Sequence, residues 1–315
     1  MKNKWHPRHS HLQRGRWVTR SLFFLLFLLA PVLNVFRLDL TSGHFILFGN
    51  PLSLGLNAQI ATPNPHPWAA GWSVLTHALL PAMTLVLAFI IVSWRFGRLY
   101  CAWLCPHFSM VETINGTMTR WRGRPTLWEP ATKPVTLLSW IAMIAMALLP
   151  ALVWAVVLLT YLLPPLEIFH NLLHLRLTPN QSRFIAMGTG LLFIDFFFAR
   201  HLFCRFGCAV GMFQSLIWMA NRAALAPVFT RDQARTCLGC PQSCDRVCPM
   251  RLKPRGGKNK ISSCAQCGLC LEACDQERGN SPEGSPLRWR QGTEIVIHSG
   301  NYTTLPDTFG AHRKE

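Results

Sequence analysis

The chain has 315 residues, half of them hydrophobic and only 14% charged. Soluble proteins carry about 25% charged residues, and the apolar runs at Ser21–Phe36, Trp72–Ser93, Val135–Leu163 and Phe184–Ala199 are too long and too little charged for ordinary core helices. A plain soluble globule is therefore excluded, as is a disordered chain, which would lack these aromatic and aliphatic residues; the formal charge of +17 needs a topology before it implies a partner.

Residues 1–20 form a basic N-terminal segment. A transmembrane helix needs about 20 mostly apolar residues, and Trp17–Leu40 holds room for a first, flanked by Arg14, Arg16 and Arg20. It does not read as a cleaved signal peptide, because it has no clear small-residue cleavage site and the chain soon returns to the membrane. His44–Ile60 is apolar but broken by Gly49, Asn50 and Pro51, which suggests an interfacial or re-entrant piece. Trp72–Ser93 is the second expected helix, ending at Trp94 and Arg95. Val135–Leu163 is a tilted third, kinked at Pro150, and Arg183–Ala199 is the fourth. Together these make a four-helix transmembrane domain over residues 21–220. A small cysteine-rich α+β domain follows over 228–280. A polar extension, 281–315, has one expected short strand at Thr293–Ile297.

Counted by loop, 28 of the 31 Lys and Arg residues fall on one side of this four-helix arrangement. The positive-inside rule then places both termini and the cysteine-rich tail in the cytoplasm of a multi-pass inner-membrane protein. The excess charge is a topology signal and a contact with anionic lipid heads. No nucleic-acid-binding motif accompanies it, so no nucleic-acid partner is expected.

All twelve cysteines fall into four motifs. Cys264-x2-Cys267-x2-Cys270-x3-Cys274 has the spacing of half a bacterial ferredoxin. Cys237-x2-Cys240-x3-Cys244-x3-Cys248-Pro249 is the other half, one residue longer at Pro241-Gln242-Ser243. In two-cluster ferredoxins a short loop supplies three thiolates to one cluster, and the fourth cysteine of the run ligates the other. Cys237, Cys240, Cys244 and Cys274 are therefore expected to hold one [4Fe–4S] cluster, and Cys264, Cys267, Cys270 and Cys248 the second. The alternative is a pair of structural zinc sites, which share the C-x2-C spacing. Two runs of four, one ending in Cys-Pro, favour iron and sulfide.

The other two motifs, Cys101-Ala-Trp-Leu-Cys105-Pro106 and Cys204-Arg-Phe-Gly-Cys208, follow the second and fourth expected helices. Positions four apart share a helix face, so Cys101, Cys105, Cys204 and Cys208 are candidates for one thiolate set at the cytoplasmic interface. Three readings stay open: a redox-active or copper-binding thiolate site, packing cysteines, or a third iron–sulfur cluster. A reducing cytoplasm disfavours a disulfide within either pair. His170 and His174, four apart in a periplasmic loop, are a second candidate metal pair, with interfacial packing as the alternative. Asp195 sits near the inner end of the fourth helix, where Arg200 or Arg98 could pair with it. His77 reads as a satisfied buried histidine, with quinone or metal binding as the alternative, and Met143 and Met146 read as packing or lipid-facing residues. His6, His9 and His11 form no recognisable ligand spacing, and no nucleotide-binding loop, nucleophile elbow or haem-attachment motif is present.

Gly97-Arg98-Leu99-Tyr100-Cys101-Ala102-Trp103-Leu104-Cys105-Pro106 resembles the first membrane-edge cysteine motif of the CcoG/FixG/RdxA accessory proteins of haem–copper oxidases. Arg37-Leu38-Asp39-Leu40 followed by Phe45-Ile46-Leu47-Phe48-Gly49 looks like their first periplasmic loop. Cys204–Ser215 and the ferredoxin pair follow in the same order, so the resemblance covers roughly residues 15–290. The related NapH-type and YccM-type proteins share the membrane cysteines and the ferredoxin. Residue 315 as the end of the chain is expected for a short form without the last helix and C-terminal periplasmic domain of longer members. The second motif reads Cys208-Ala209 where the family has Cys-Pro.

The resemblance implies an electron path from a soluble or quinone donor, through two clusters, to a membrane acceptor. In CcoG-type proteins that acceptor is Cu(II), reduced to Cu(I) in support of respiratory oxidase assembly, with assembly factors as partners. A NapH-like relay to the quinone pool is the first alternative, and an assembly or redox-sensing protein the second.

Overall fold

The computed structural model describes residues 11–52, 67–230, 233, 237, 239–278 and 284–291. His6, His9, part of the expected interfacial piece and the expected strand Thr293–Ile297 lie outside the described residues. The chain divides into two compact units. One comprises Met1–Trp17, Ile90–Trp103 and Arg205–Glu315; the other comprises Val18–Phe89 and Leu104–Cys204.

Three helical stretches among the described residues are long and apolar enough to cross a membrane: Gly71–Phe96, Leu137–Thr160 and Pro179–Ala199. The expected first span differs. Helix α1 (His11–Leu29) stops before Pro31, and Phe36–Asp39 is already strand β1. The apolar part of α1, Trp17–Leu29, is about 20 Å long at 1.5 Å per residue, short of the roughly 30 Å hydrocarbon core.

In the unit built from Val18–Phe89 and Leu104–Cys204, β1 pairs antiparallel with β2 (His44–Leu47), and β2 with β3 (Asn50–Leu52). This small sheet replaces the expected re-entrant piece. Asp39 closes the first turn by accepting from the Thr41 and Ser42 amides and by pairing with Arg37 at 3.0 Å. Phe48 and Gly49, both at positive φ, close the second, as a two-residue hairpin requires.

Helices α2 (Pro67–Val74) and α3 (Leu80–Phe96) are joined by a π-helical turn, Leu75–Leu79, into the Gly71–Phe96 stretch. After the short helix α4 (Leu99–Trp103) comes α5 (Pro106–Arg122), which ends at Gly123 in the left-handed conformation. A Cβ at Gly123 would lie 1.9 Å from Thr132 Oγ1. Helix α6 (Leu137–Thr160) runs unbroken through Pro150, with Thr136 as its N-cap. Helix α7 is Pro165–Leu173, and α8 (Pro179–Ile194) starts with a capping box between Thr178 and Gln181.

Helices α6 and α8 cross closely because Gly188 faces Ala155, where an added Cβ would stand 3.3 Å from the alanine methyl. Small residues at such crossings let helix backbones approach within lipid. Val156, Leu159, Ile168 and Ile185 bury the end of this contact. α1 lies along α6: Arg20 pairs with Glu112 of α5 at 2.7 Å, Phe24 and Phe27 pack on Trp154, and the Tyr161 hydroxyl donates to Phe27 O at 2.8 Å. Met143 is buried in this packing.

The other unit carries both ferredoxin-type runs. Helix α9 (Ala209–Ala220) leads to strand β4 (Ala226–Phe229), and short helix α10 (Ser243–Arg246) and helix α11 (Leu269–Arg278) carry cysteines of the two runs. Strand β5 (Leu287–Arg290) returns antiparallel to β4, Phe229 opposite Leu287. Its core contains Cys244, Cys270, Leu271, Cys274 and Leu287. The segment read as a polar extension thus begins with a strand of the cysteine-rich domain, whose sheet begins at Ala226 rather than residue 228. The alternation in Leu287-Arg288-Trp289-Arg290 is too short to stand out without its partner strand.

Candidate functional site

Cys244 lies on α10 and Cys270 and Cys274 on α11, and the other five tail cysteines lie in turns and loops whose backbone folds back on itself. Gly239 and Gly268 adopt positive φ, as do Gln242, Arg251 and Gln266. Gln242, at φ 58° and ψ 42°, absorbs the extra residue of the first run immediately before α10. Such turns aim amides at sulfur: Leu252 N donates to Cys248 Sγ at 3.3 Å, and Gln266 N to Cys264 Sγ at 3.4 Å.

A pocket is lined by Cys237, Cys240 and Cys244 of the first run and Cys274 of the second, with Arg255, Arg278 and Leu287 beside them. Strand β5 serves this pocket directly, since the Leu287 amide hydrogen-bonds the Cys274 sulfur and the Ser285 hydroxyl, beside that sulfur, donates to Leu287 O at 3.2 Å. Nothing in the sequence flagged these two donors, because they act only once β5 pairs with β4. Cys248, Cys264, Cys267 and Cys270 form the other neighbourhood, close enough for each thiolate's charge to be felt by the rest. Among the described residues no three His, Cys, Asp or Glu side chains are placed to share one metal ion. A pocket with sulfurs on its walls is the shape a polynuclear cluster needs, whereas a zinc site draws four ligands to about 2.3 Å from one centre.

Burial dominates the protonation of these thiols. It pushes Cys244 up to about 12, helped by the Asp245 carboxylate, and Cys248 up to about 11, helped by Cys267. Cys264 and Cys270 are raised further for the same reason, with Cys237 and Cys274 shifted in the same direction. Arg255 pairs with Asp245 at 2.9 Å and sets a positive charge against Cys237 and Cys244.

The membrane-edge motifs depart from the expected helix face. Cys101 lies in α4, but Cys105 is the extended N-cap of α5, because Pro106 at the first helical position keeps the preceding residue out of the helical region. Cys204 lies in a π-helical turn, Phe203–Gly207, and Cys208 is the extended N-cap of α9, its sulfur accepting from Gly211 N at 3.5 Å. Each motif therefore straddles a helix junction. Cys101 and Cys208 belong to one compact unit, Cys105 and Cys204 to the other.

Cys101 is buried and donates to Gln214 Oε1 at 3.2 Å. Burial raises its pKa, while the charge of Arg98 and a hydrogen bond from it pull the other way. Arg98 is 1% exposed and also donates to Ser263 O at 3.4 Å, the carbonyl preceding Cys264. Gly97 holds this position by necessity: it has positive φ, and a Cβ there would lie 2.7 Å from Gln266 Nε2 and 2.8 Å from the Trp218 ring.

Asp195 pairs neither through Arg200 nor through Arg98 but with His107 Nε2, while His107 Nδ1 faces Cys204 Sγ at 3.6 Å. The imidazole packs between Phe196 and Phe203, at 5.3 and 5.2 Å. Arg200 instead donates to Pro125 O at 2.6 Å. Sequence reading missed His107, although its place two residues after Cys105 was a usable signal. Asp195 itself opens a π-helical turn, Asp195–Ala199, that ends the α8 stretch; such turns recur at functional sites.

His170 and His174 are both exposed, with rings stacked at 4.2 Å and His174 Nδ1 engaged by His170 O. His77, expected to be buried, is exposed, and it is held locally by Ser73 O and Thr76 Oγ1, each at 3.0 Å.

A family model described as a 4Fe-4S binding domain matches residues 78–125 and 180–224. Both matches run from an apolar helix through a Cys-x3-Cys motif into a helix capped by the second cysteine. The electron-transport candidate YccM of Escherichia coli (strain K12) is 26% identical over 200 residues, 61% of this chain and 53% of YccM. Protein RdxA of Cereibacter sphaeroides is 26% identical over 207 residues, 60% of this chain and 43% of RdxA. The methylamine utilization ferredoxin-type protein MauN of Paracoccus denitrificans is 25% identical over 299 residues, 89% of this chain and 87% of MauN. The chain thus spans about half the length of YccM and RdxA and most of MauN. No solved structure matches it. The chain is distantly homologous, at about 25% identity, to ferredoxin-type membrane proteins, and it shares their 4Fe-4S binding sequence pattern.

Proposed function

We propose that this chain is a membrane-anchored iron–sulfur electron-transfer protein. Cys237, Cys240, Cys244 and Cys274 would hold one [4Fe–4S] cluster, and Cys264, Cys267, Cys270 and Cys248 the second. The observation that carries the reading is the pocket in which three cysteines of one run meet the last cysteine of the other, as the two-cluster ferredoxin pattern demands. A bound [4Fe–4S] cluster takes up and returns single electrons. The protein's own residues set the conditions: amide donors at Cys248, Cys264 and Cys274 stabilise negative charge on sulfur, and Arg255 adds a positive charge at the first site.

Both termini face the cytoplasm in this reading, with α1 and the turn after it (30–35) together carrying the chain across beside the three longer spans. The count of basic residues supports it, as do hydrogen bonds from Gln13 to Cys267 O and from Arg16 to Ala102 O, both 3.0 Å, within the cysteine-rich unit. The packing of Phe24 and Phe27 against Trp154 supports a course for α1 along α6.

The acceptor we propose is Cu(II), reduced by one electron to Cu(I) near the membrane-edge cysteines in support of respiratory oxidase assembly. Soft thiolates favour the cuprous product, and the resemblance of the first membrane-edge motif to that of the oxidase accessory proteins implies the same direction. Anaerobic purification with iron and sulfide quantified tests the cofactor assignment, with eight of each expected per chain. Zinc in their place overturns it, and iron near twelve means that the membrane-edge cysteines bind iron as well. Stopped-flow mixing of the reduced protein with Cu(II) or a quinone tests the acceptor. Oxidation by quinone alone replaces the copper assignment with a quinone-pool relay, and oxidation by neither leaves a sensing or assembly role.

A further inference from the structure

Arg98 joins two parts of the cysteine-rich unit that the electron path needs to connect. Its guanidinium is buried, and its Nη1 reaches Ser263 O at 3.4 Å, next to Cys264 in the loop of the second ferredoxin-type run. The same guanidinium hydrogen-bonds the sulfur of Cys101 in the first membrane-edge motif, and its charge acts on both Cys101 and Cys264. Cys208 of the second membrane-edge motif lies within electrostatic reach of Cys101. The surroundings are shaped to admit this side chain. A Cβ on Gly211 of α9 would stand 2.2 Å from Arg98 Nη2, so α9 passes over the guanidinium only because residue 211 has no side chain. Gly97 turns the chain at positive φ against Trp218 and Gln266, which fixes where Arg98 begins.

We propose that Arg98 is a positioning residue for electron transfer, a single buried charge that stabilises the added negative charge on the cluster held by Cys248, Cys264, Cys267 and Cys270, while its contact with Cys101 fixes the guanidinium between that cluster and the first membrane-edge motif. This rests on the two-cluster reading above and deepens it by naming the cluster nearest the membrane edge and the group that ties the two stations together.

The physics follows from position. Reduction adds one negative charge to a cluster, and burial weakens the screening that would hide a neighbouring cation. A fixed guanidinium therefore makes the nearer cluster easier to reduce. The contact with Cys101 and the cover of Gly211 hold the guanidinium in one place, so its charge acts on the cluster from a fixed position. The first site, by contrast, has Arg255 as its local cation.

The test is an EPR-monitored redox titration of the full-length protein, purified anaerobically in detergent, as wild type, Arg98→Gln, Arg98→Lys and Gly211→Ala. We expect Arg98→Gln to lower the midpoint of one cluster, by about the 59 mV that a tenfold loss in the reduced-to-oxidised ratio represents for a one-electron couple. The other midpoint stays in place, and Arg98→Lys restores most of the shift. Gly211→Ala keeps the charge but puts a methyl where the guanidinium lies, so it must shift the same cluster in the same direction; it serves as the deciding variant if Arg98→Gln fails to assemble. Full iron content with both midpoints unmoved in the variants overturns the inference, and so does an equal shift of both. Wild-type protein without about eight iron atoms overturns the cluster reading itself, which separates the two failures.

Discussion

Leu287→Ala tests whether β5 belongs to the iron–sulfur domain or merely trails it. Leu287 is 1% exposed and packs with Cys244, Cys270, Leu271 and Cys274. The substitution keeps the backbone amide that serves Cys274 and the pairing with Phe229, but removes three carbon atoms from the wall of the first pocket. Leu→Ala changes in well-packed cores cost about 2–5 kcal/mol, the spread reflecting how far the site can collapse. If that cost falls on local opening around the first site, the open population rises about 30-fold at the lower limit and about 4,000-fold at the upper, at about 1.4 kcal/mol per factor of ten. The assay is bleaching of cluster absorbance in anaerobic protein challenged with excess ferrous chelator. Wild type should bleach slowly. The variant should bleach in two phases, half of the signal at least 30-fold faster and the other half at the wild-type rate. A single phase within twofold of wild type refutes the reasoning, because the strand would then contribute nothing to the site.

Three further outcomes follow from the geometry. His107→Leu should lower the apparent Tm in detergent, since it strips a partly buried Asp195 of its partner at a cost of about 3 kcal/mol; the double variant His107→Leu/Asp195→Leu should recover most of the loss, and a double variant less stable than the single one contradicts the pairing. Gly97→Ala should cost more than about 2 kcal/mol and reduce yield, because its Cβ meets Trp218 and its φ is positive, whereas Gly15→Ala in α1 meets nothing within 4 Å and should be neutral or stabilising by up to about 1 kcal/mol; both are read by fluorescence-detected size-exclusion after heating. Cluster ligands must be deprotonated, and burial holds Cys244 near about 12 and Cys248 near about 11. Loading of the apoprotein with iron and sulfide should therefore release protons and proceed further as pH rises from 6 to 9, followed by absorbance; a flat profile would mean that the thiols are already ionised.

The grouping of the eight tail cysteines was legible because sulfurs presented together by a short loop are close in sequence, and that constraint is written in the interval between residues. The apolar runs were legible for a similar reason, since hydrocarbon thickness sets a minimum length that 71–96, 137–160 and 179–199 meet. The first span was misjudged because hydropathy does not see where a helix stops. Trp17–Leu40 is apolar on average, yet the helix ends before Pro31, and the hairpin closed by Phe48 and Gly49 draws Phe36–Asp39 into strand. The shared helix face of Cys101 and Cys105 failed at Pro106, whose effect on the preceding residue outweighs the periodicity.

Composition and cysteine spacing by themselves determined a chain with helices long and apolar enough to cross a membrane and two ferredoxin-type runs, because those properties depend on residues close together in sequence. Only the tertiary structure decided which groups surround the sulfurs. Leu287 and Ser285 reach Cys274 through a strand pairing that spans some sixty residues, Arg98 reaches Ser263 across 165, and His107 meets Asp195 across 88. Such contacts leave no periodicity in the chain. They arise when burial forces each polar group to find a partner, and the packed fold alone settles which partner is within reach.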